Sequence, residues 1–173
     1  GQTRLMHAYE NLFQKFRLNV AQILLTASDL DHERPSNHVM DTLHRLLEEG
    51  NIVPIINEND TVAVQELRVG DNDMLSARVS RLLEARMLVM LSTVGGLQDD
   101  DGGVMPEVRN IDAVARHVRS DHGKFSIGGM ASKLKAVKFA LEAGVETVIA
   151  SGREPTALKE IISGGTGGTR FPL

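Results

Sequence analysis

Two clusters of amide and carboxylate side chains are the residues in this sequence best suited to bind a small polar molecule. Residues 57–60 read Asn-Glu-Asn-Asp, and residues 70–73 read Gly-Asp-Asn-Asp. The first cluster follows an apolar run of strand length, and the second opens a helical pattern. Side-chain amides can donate hydrogen bonds to a carboxylate, and an aspartate can pair with an ammonium group. Together the clusters favour a site for a free amino acid.

Helix capping explains single members of these clusters better than ligand binding does. Asp71 or Asn72 in front of a helix is typical of an N-cap residue. Two clusters that bracket one loop are harder to explain by capping, because a long polar loop in a small domain usually carries function. We therefore expect binding residues in this loop. It also contains an alternating pattern that predicts a small β-ribbon, formed by Val62, Val64, Leu67 and Val69.

A glycine pair followed by a lysine is the second feature that could bind a ligand. Residues 128–133 read Gly-Gly-Met-Ala-Ser-Lys and lead into an amphipathic helical pattern. Backbone N–H groups at a helix N-terminus bind phosphate, and glycine lets the anion approach closely. A lysine in the first turn opposes the helix dipole by roughly 0.3–1 kcal/mol, so this placement favours a nearby anion. The alternative is a plain glycine turn, with Lys133 extended to solvent.

Other candidate motifs lack the spacing that their chemistry requires. Glycine-rich residues 164–168 do not open a helix, so they match neither a P-loop nor a dinucleotide fingerprint, and we predict a turn there. The six histidines show no metal-ligand spacing and cysteine is absent, which argues against a zinc site. Residues 99–102 read Asp-Asp-Asp-Gly without the alternating ligands of a calcium loop. We predict a solvated acidic turn there and no metal site in the protein.

Composition places the chain among single-domain globular proteins. It has 173 residues, 42% of them hydrophobic and 24% charged. No apolar stretch approaches the roughly 18 residues of a membrane span. A net charge of −4 lacks the basic excess of nucleic-acid-binding proteins. We therefore expect small-molecule or protein partners, not nucleic acid or membrane, and a cytoplasmic location because cysteine is absent.

Apolar runs and helical periodicities alternate along the chain. Four apolar runs predict buried parallel strands at residues 20–25, 52–56, 87–91 and 145–150. Helical spacing predicts helices within residues 5–16, 39–50, 75–83, 111–118, 130–141 and 155–162. We predict a polar loop through Pro35. Pro54 predicts either an edge position for its strand or the start of a strand. The fold class that follows is α/β, a three-layer αβα sandwich with a mostly parallel central sheet, whose ligands bind at the carboxyl ends of the strands.

Six segments, in this order, resemble the amino acid kinase superfamily and, within it, the glutamate 5-kinase family. The resemblance spans nearly the whole chain, and it implies the amino acid kinase fold over residues 1–173. The segments are residues 1–13 (with Gly-Gln at the start, Leu-Met, Tyr9 and Phe13), 20–26 (VAQILLT), 51–60 (NIVPIINEND), 70–73 (GDND), 128–133 (GGMASK) and 168–171 (GTRF).

The resemblance implies an enzyme that uses ATP and Mg²⁺ to phosphorylate the side-chain carboxylate of L-glutamate, the first step of proline biosynthesis. It implies that Asn57, Asp60 and Asn72 contact glutamate. It further implies that Asp73 orients catalytic lysines and that Lys133 stabilises the transferred phosphoryl group. The residues that the resemblance places around ATP are Ser92, Thr93, Ile127, Gly128, Gly129, Met130, Ala131, Ser132 and Lys133.

The sequence departs from the family pattern in three respects. The family's first strand, phosphate loop and lysine would precede Gly1, so we expect the N-terminal part of the kinase domain to be missing. Thr93 stands where the family usually has Asp, and residues 98–126 are shorter than usual and different. The chain stops at Leu173, where many members continue into a PUA domain, and we expect none here.

Several readings stay open at this point. A kinase for N-acetylglutamate, aspartate or carbamate would share the fold, and Asp60 favours the unblocked ammonium group of glutamate over an acetylated amine. A non-catalytic glutamate-binding or assembly fragment would lack the phosphate loop. The resemblance also implies a homo-oligomer that is inhibited by proline near the loop of residues 57–72.

Overall fold

Strands and helices alternate in the structure, a computed structural model that describes residues 1–59, 72–114 and 127–173. The chain divides into two units, Gly1–Leu75 and Ser76–Leu173, and each contains a parallel pair of strands with helices. This arrangement confirms the predicted α/β class. In the part of the chain that the structure describes, no helix is long and apolar enough to cross a membrane.

The first unit is built around two parallel strands, β1 and β2. In β1, Leu24 lies opposite Asn57 and Leu25 lies opposite Glu58, so both strands end at the same edge. Helix α1 packs against β1, and within it the rings of Tyr9 and Phe13 stack with their centroids 6.1 Å apart. The elements are α1 (Gln2–Phe13), a 3₁₀ turn (Gln14–Phe16), β1 (Asn19–Leu25), α2 (Ala27–Asp31), α3 (Glu33–Glu48) and β2 (Ile52–Glu58).

The polar loop predicted through Pro35 is wrong, because two helices occupy most of it. Helix α2 starts at a capping box: Asp29 Oδ2 accepts hydrogen bonds from the backbone N–H of Thr26 and from its hydroxyl, each at 2.7 Å. Pro35 lies in the first turn of α3, where its missing N–H would have no helical partner in any case.

Pro54 lies within β2, opposite Ala21 of β1. Among the described residues β2 pairs with β1 alone, which agrees with the edge position predicted from this proline. The strand also runs two residues further than predicted, through Asn57 to Glu58. Half of the first polar cluster therefore belongs to the strand and not to the loop behind it.

The second unit contains a three-stranded sheet in the order β3, β4, β5. Strands β3 and β4 are parallel, and Ser92 lies opposite Ser151 at their carboxyl ends. Helix α4 starts at Asn72, and from Ser76 onward it belongs to this unit. Residues 111–114 are also helical. The elements are α4 (Asn72–Leu82), β3 (Met87–Ser92), α5 (Ile127–Glu142), β4 (Glu146–Ser151), α6 (Ala157–Ile162) and β5 (Thr169–Phe171).

The predicted glycine-rich turn ends in a strand that the sequence pattern did not indicate. Strand β5 has three residues and runs antiparallel to β4, with Val148 opposite Arg170. Gly168 lies just before the strand at φ +95°, and a Cβ there would collide with the carbonyl oxygen of Ile149. Arg170 forms an ion pair with Glu146, which fixes β5 to the start of β4.

The helix predicted within residues 130–141 begins earlier than expected. Helix α5 starts at Ile127, so Gly128 and Gly129 lie inside its first turn and Lys133 lies in the second turn. Met130, Leu134, Val137 and Leu141 recur at the helical spacing that predicts a stripe facing the core, and the structure confirms this stripe in part. Leu134 and Val137 are buried, and the small residues Ala136 and Ala140 are buried with them where α5 packs near β4. Met130 and Leu141 are half-buried.

Candidate functional site

The carboxyl ends of β1 and β2 bring polar groups to one edge of the first unit. Beyond the paired residues, the backbone N–H of Asn59 donates to the carbonyl oxygen of Leu25 at 2.8 Å, so the pairing continues past the end of β2. Thr26 and Asp29 follow β1 directly, but the capping box satisfies their side chains. The groups that can face a ligand at this edge therefore come mainly from the end of β2.

Asn57 is a predicted site residue whose side chain forms a hydrogen bond within β2. It is half-buried, and its Oδ1 accepts a hydrogen bond from the backbone N–H of Glu58 at 2.9 Å. The side-chain nitrogen, with two N–H donors, is the other end of the amide. This orientation suits an anionic ligand, because the acceptor end is engaged within the strand.

Asn72 and Asp73 are the first two residues of α4, as the second polar cluster predicts. Asn72 is exposed and Asp73 is half-buried. Because the helix includes Asn72, its N-cap position falls on Asp71. Asp71, Asp60 and the predicted ribbon all lie outside the described residues. The geometry of the complete polar loop therefore stays a prediction.

The carboxyl ends of β3 and β4 form a second edge, in the second unit. The backbone N–H of Gly152, just after β4, donates to the carbonyl oxygen of Ser92 at 2.7 Å. Ser92 is half-buried and Thr93 is exposed, so the chain emerges at the surface where β3 ends. Loops at this end of a parallel pair are where α/β proteins bind ligands.

The glycine-lysine segment forms the start of α5. The side chains of Met130, Ala131, Ser132 and Lys133 are half-buried, and Gly129 is exposed. Phosphate oxygens accept hydrogen bonds from the backbone N–H groups of a first helical turn and from an ammonium group. This set of donors therefore fits nucleotide phosphates. The argument from a lysine in the first turn does not hold, since the helix begins at Ile127 and the dipole effect is confined to the first turn.

Two further findings concern metals and the acidic turn. Within residues 1–59, 72–114 and 127–173, no group of three or more His, Asp or Glu side chains is arranged to hold a metal ion. Asp99 organises the predicted acidic turn, because its Oδ1 accepts hydrogen bonds from the backbone N–H groups of Asp101 at 3.1 Å and Gly103 at 2.7 Å. The carboxylate thus serves the turn itself, and Asp100 and Asp101 are exposed.

Sequence comparison relates the chain to phosphotransferases. Residues 1–151 match the model of the amino acid kinase family. Over 99% of its length the chain is 40% identical to a glutamate 5-kinase of Clostridium acetobutylicum, of which it covers 66%. It is 45% identical over 99% of its length to a glutamate 5-kinase of Shewanella amazonensis, of which it covers 47%. The chain thus spans about half to two thirds of the length of the curated relatives it matches.

Solved structures with low sequence identity share the fold. A structure of isopentenyl phosphate kinase matches with a TM-score of 0.66 at 17% identity, covering 98% of this chain and 66% of that one. UMP kinase from Ureaplasma parvum matches with a TM-score of 0.61 at 15% identity, covering 96% of this chain and 65% of that one. These matches confirm the predicted α/β fold.

Proposed function

This chain belongs to the amino acid kinase family, and from that premise we propose that it transfers the γ-phosphoryl group of ATP to the side-chain carboxylate of L-glutamate. The product is L-glutamyl 5-phosphate, the first intermediate of proline biosynthesis. One observation carries the proposal: the similarity to proteins named glutamate 5-kinase covers 99% of this chain, and so includes both polar clusters and the glycine-lysine segment.

The proposed reaction needs alignment and charge neutralisation more than proton transfer. An oxygen of the glutamate side-chain carboxylate forms a bond to the γ-phosphorus, and the bond from that phosphorus to the bridging oxygen of ADP breaks. The carboxylate is already anionic at neutral pH, so no general base has to act. The barrier comes largely from bringing two anions into line, and positive groups fixed beside them lower it.

In this proposal residues at and after the end of β2 bind glutamate. The side-chain nitrogen of Asn57 donates to a substrate carboxylate, since its oxygen already accepts from Glu58 N–H. Asp60 pairs with the α-ammonium group. Asn72, exposed at the first position of α4, supplies a further amide.

The second unit supplies the groups for the nucleotide. The first turn of α5 offers its backbone N–H groups to phosphate oxygens, and Lys133 stabilises the negative charge on the phosphoryl group during transfer. Asp73, which belongs to the first unit, orients the lysine ammonium groups in this proposal. Ser92 and Thr93 border the nucleotide at the end of β3. Mg²⁺ carried by the nucleotide would add positive charge at the phosphate oxygens.

The proposal extends to the setting in which the protein works. We propose that it acts in the cytoplasm as a homo-oligomer, and that proline, as the end product, inhibits it near residues 57–72. The resemblance to glutamate 5-kinases supports these points. Gel filtration tests the oligomeric state, and kinase assays with and without proline test the inhibition.

Trapping the acyl phosphate tests the activity. The purified protein, expressed as its gene encodes it, is incubated with ATP, Mg²⁺, glutamate and hydroxylamine, which converts an acyl phosphate into a hydroxamate. We expect hydroxamate with L-glutamate and none with N-acetylglutamate or aspartate. If hydroxamate forms with N-acetylglutamate and not with L-glutamate, the proposed phosphoryl acceptor is wrong. The absence of any hydroxamate, together with no calorimetric binding of glutamate or an ATP analogue, would refute the proposal.

A further inference from the structure

The loop that follows β3 is held by a hydrogen bond at each end. At its start, the carbonyl oxygen of Ser92 accepts from the backbone N–H of Gly152 at 2.7 Å. At its end, the backbone N–H of Leu97 donates to the hydroxyl oxygen of Thr169 at 2.8 Å. Between these two points, Thr93 and Val94 are exposed at the carboxyl end of the strand.

Thr169 is bound in a way that leaves its hydroxyl little freedom. The residue is fully buried at 0% exposure, and its Oγ1 accepts from Leu97 N–H while donating to the carbonyl oxygen of Met105 at 2.6 Å. One hydroxyl therefore joins β5 to two points of the segment that follows β3. A valine has nearly the same shape but could make neither bond.

Gly96 allows this close approach. It is buried beside Thr169, and a Cβ added to it would lie 2.5 Å from Thr169 Oγ1 and 2.8 Å from a methyl group of Val104. No residue with a side chain fits there unless Thr169 or the loop moves. The glycine and the threonine therefore form one contact, which we call the Gly96–Thr169 latch.

We propose that Thr169 is a positioning residue for the nucleotide, acting through the latch on the loop of Ser92 and Thr93. The inference rests on the proposed function, which makes this loop a border of ATP. Thr169 is buried and accepts a hydrogen bond from the backbone N–H of Leu97. It therefore acts on the exposed residues of the loop, Thr93 and Val94, through the backbone that joins them to Leu97. A loop already fixed in its binding conformation binds more tightly, because the ligand does not have to select a minor state.

Hydrogen exchange without ligands tests the latch itself. Thr169→Val removes both hydrogen bonds, Thr169→Ser keeps the hydroxyl, and Thr147→Val is a matched control. Thr147 is equally buried at 0% exposure in the same sheet, but among the described residues its hydroxyl donates a single long hydrogen bond, to the Val145 carbonyl oxygen at 3.4 Å. We expect faster exchange in peptides covering residues 92–97 in Thr169→Val alone. Unchanged exchange in that variant overturns the proposal.

Nucleotide binding tests the functional part. If the loop is in its binding conformation about a tenth of the time in Thr169→Val, the dissociation constant of an ATP analogue rises about tenfold. We expect the KM for glutamate to stay within about twofold, and Thr169→Ser and Thr147→Val to bind nucleotide like the wild type. Faster loop exchange with unchanged nucleotide affinity overturns the role of Thr169 in ATP binding.

Gly96→Ala probes the same contact from the loop side. The added methyl group pushes against Thr169, so we expect the same selective loss of nucleotide affinity even if Thr169→Val folds poorly. If Gly96→Ala folds and binds nucleotide like the wild type, the proposal is wrong. A wild-type protein that binds no nucleotide refutes the proposed function, whereas the exchange experiment still decides whether the latch holds the loop.

Discussion

At the scale of single residues, local hydrogen bonds decide which atoms remain for a ligand. Asn57 and Asp29 are both polar residues near the ends of parallel strands, yet their roles differ. The carboxylate of Asp29 is used by the capping box of α2, whereas Asn57 engages its oxygen within the strand and has its nitrogen as the donor end. Only Asn57 is a predicted site residue, and the hydrogen bonds show why Asp29 is not available in the same way.

Asn57→Asp tests the donor role of that nitrogen. The substitution keeps an oxygen for Glu58 N–H but replaces the N–H donors with a negative charge. A hydrogen bond to a charged group contributes about 1.5–3 kcal/mol, so we expect the KM for glutamate to rise at least about tenfold while the KM for ATP changes little. Steady-state kinetics measures both.

The matched control is Asn51→Asp, at the opposite end of the same strand. Asn51 is exposed just before β2, so it should change neither KM value. An equal effect of both substitutions would mean that charge near the strand, and not the donor at residue 57, weakens glutamate binding.

Lys133→Ala tests charge stabilisation of the transferred group. Removing one preorganised donor to a transition state typically costs about 10²–10³-fold in kcat, and we expect that loss with a nearly unchanged KM for glutamate. Lys135→Ala is the control, because Lys135 is exposed on the same helix. A normal kcat in Lys133→Ala would show that Lys133 does not stabilise the transferred phosphoryl group.

The sequence predicts the candidate binding residues by type, but not the latch behind them. Amides and carboxylates after an apolar run, or glycines before a helix, are local patterns. The hydrogen bond from Leu97 to Thr169 joins residues 72 positions apart, and a single buried threonine has no periodicity that marks it. Such a contact depends on β5 pairing with β4, which only the fold provides.

At the scale of elements, the apolar runs predict the positions of the four longer strands, because parallel strands are typically continuous apolar runs. The predicted burial holds only for β4, since β1 and β3 each have one buried residue and β2 has none. Short elements leave weaker patterns. Strand β5 has three residues and α2 has five, and Pro35 hides the start of α3 although the first helical turn tolerates proline. The helical pattern from Met130 onward gives no sign that α5 already begins at Ile127.

Gly168→Ala tests how β5 is joined to β4. Gly168 has φ +95° and a Cβ there meets the Ile149 carbonyl, so strain and overpacking act together. We expect the free energy of unfolding to fall by about 2–5 kcal/mol. Urea denaturation measures this change.

Gly164→Ala separates the two causes in the same experiment. Gly164 has φ +84°, and apart from its chain neighbours no atom of the described residues lies within 4 Å of a Cβ there, so only the backbone strain remains. We expect a loss of about 1–2 kcal/mol. Equal losses in the two variants would show that the contact with Ile149 adds nothing to the cost of φ.

At the scale of the whole molecule, the two units each carry one set of proposed ligand groups. The residues proposed to bind the substrate glutamate lie in Gly1–Leu75, and the groups proposed to surround ATP lie in Ser76–Leu173. Alternating strands and helices predict the α/β class, since that rhythm is a property of the whole chain. They do not predict the division into units, because it depends on which contacts form across long sequence separations.

Hydrogen exchange with each ligand separately tests this assignment. Binding slows exchange where it stabilises the native state. We expect L-glutamate to protect peptides around residues 57–59 and 72–75, and an ATP analogue to protect peptides around residues 92–97 and 129–133. D-Glutamate is the control for the first ligand. Protection of residues 57–59 by the ATP analogue alone would reverse the assignment of the two polar segments.

The distance along the chain between Leu97 and Thr169 also sets an order of events during protein synthesis. Ribosomes add about 5–20 residues per second, so the 72 positions that separate the two residues take on the order of ten seconds. Through that interval the nascent chain carries Gly96 and Leu97 without the hydroxyl group that will secure them. Since we propose that this hydroxyl holds the loop beside ATP, we expect the loop to reach its final conformation only after translation has passed residue 169.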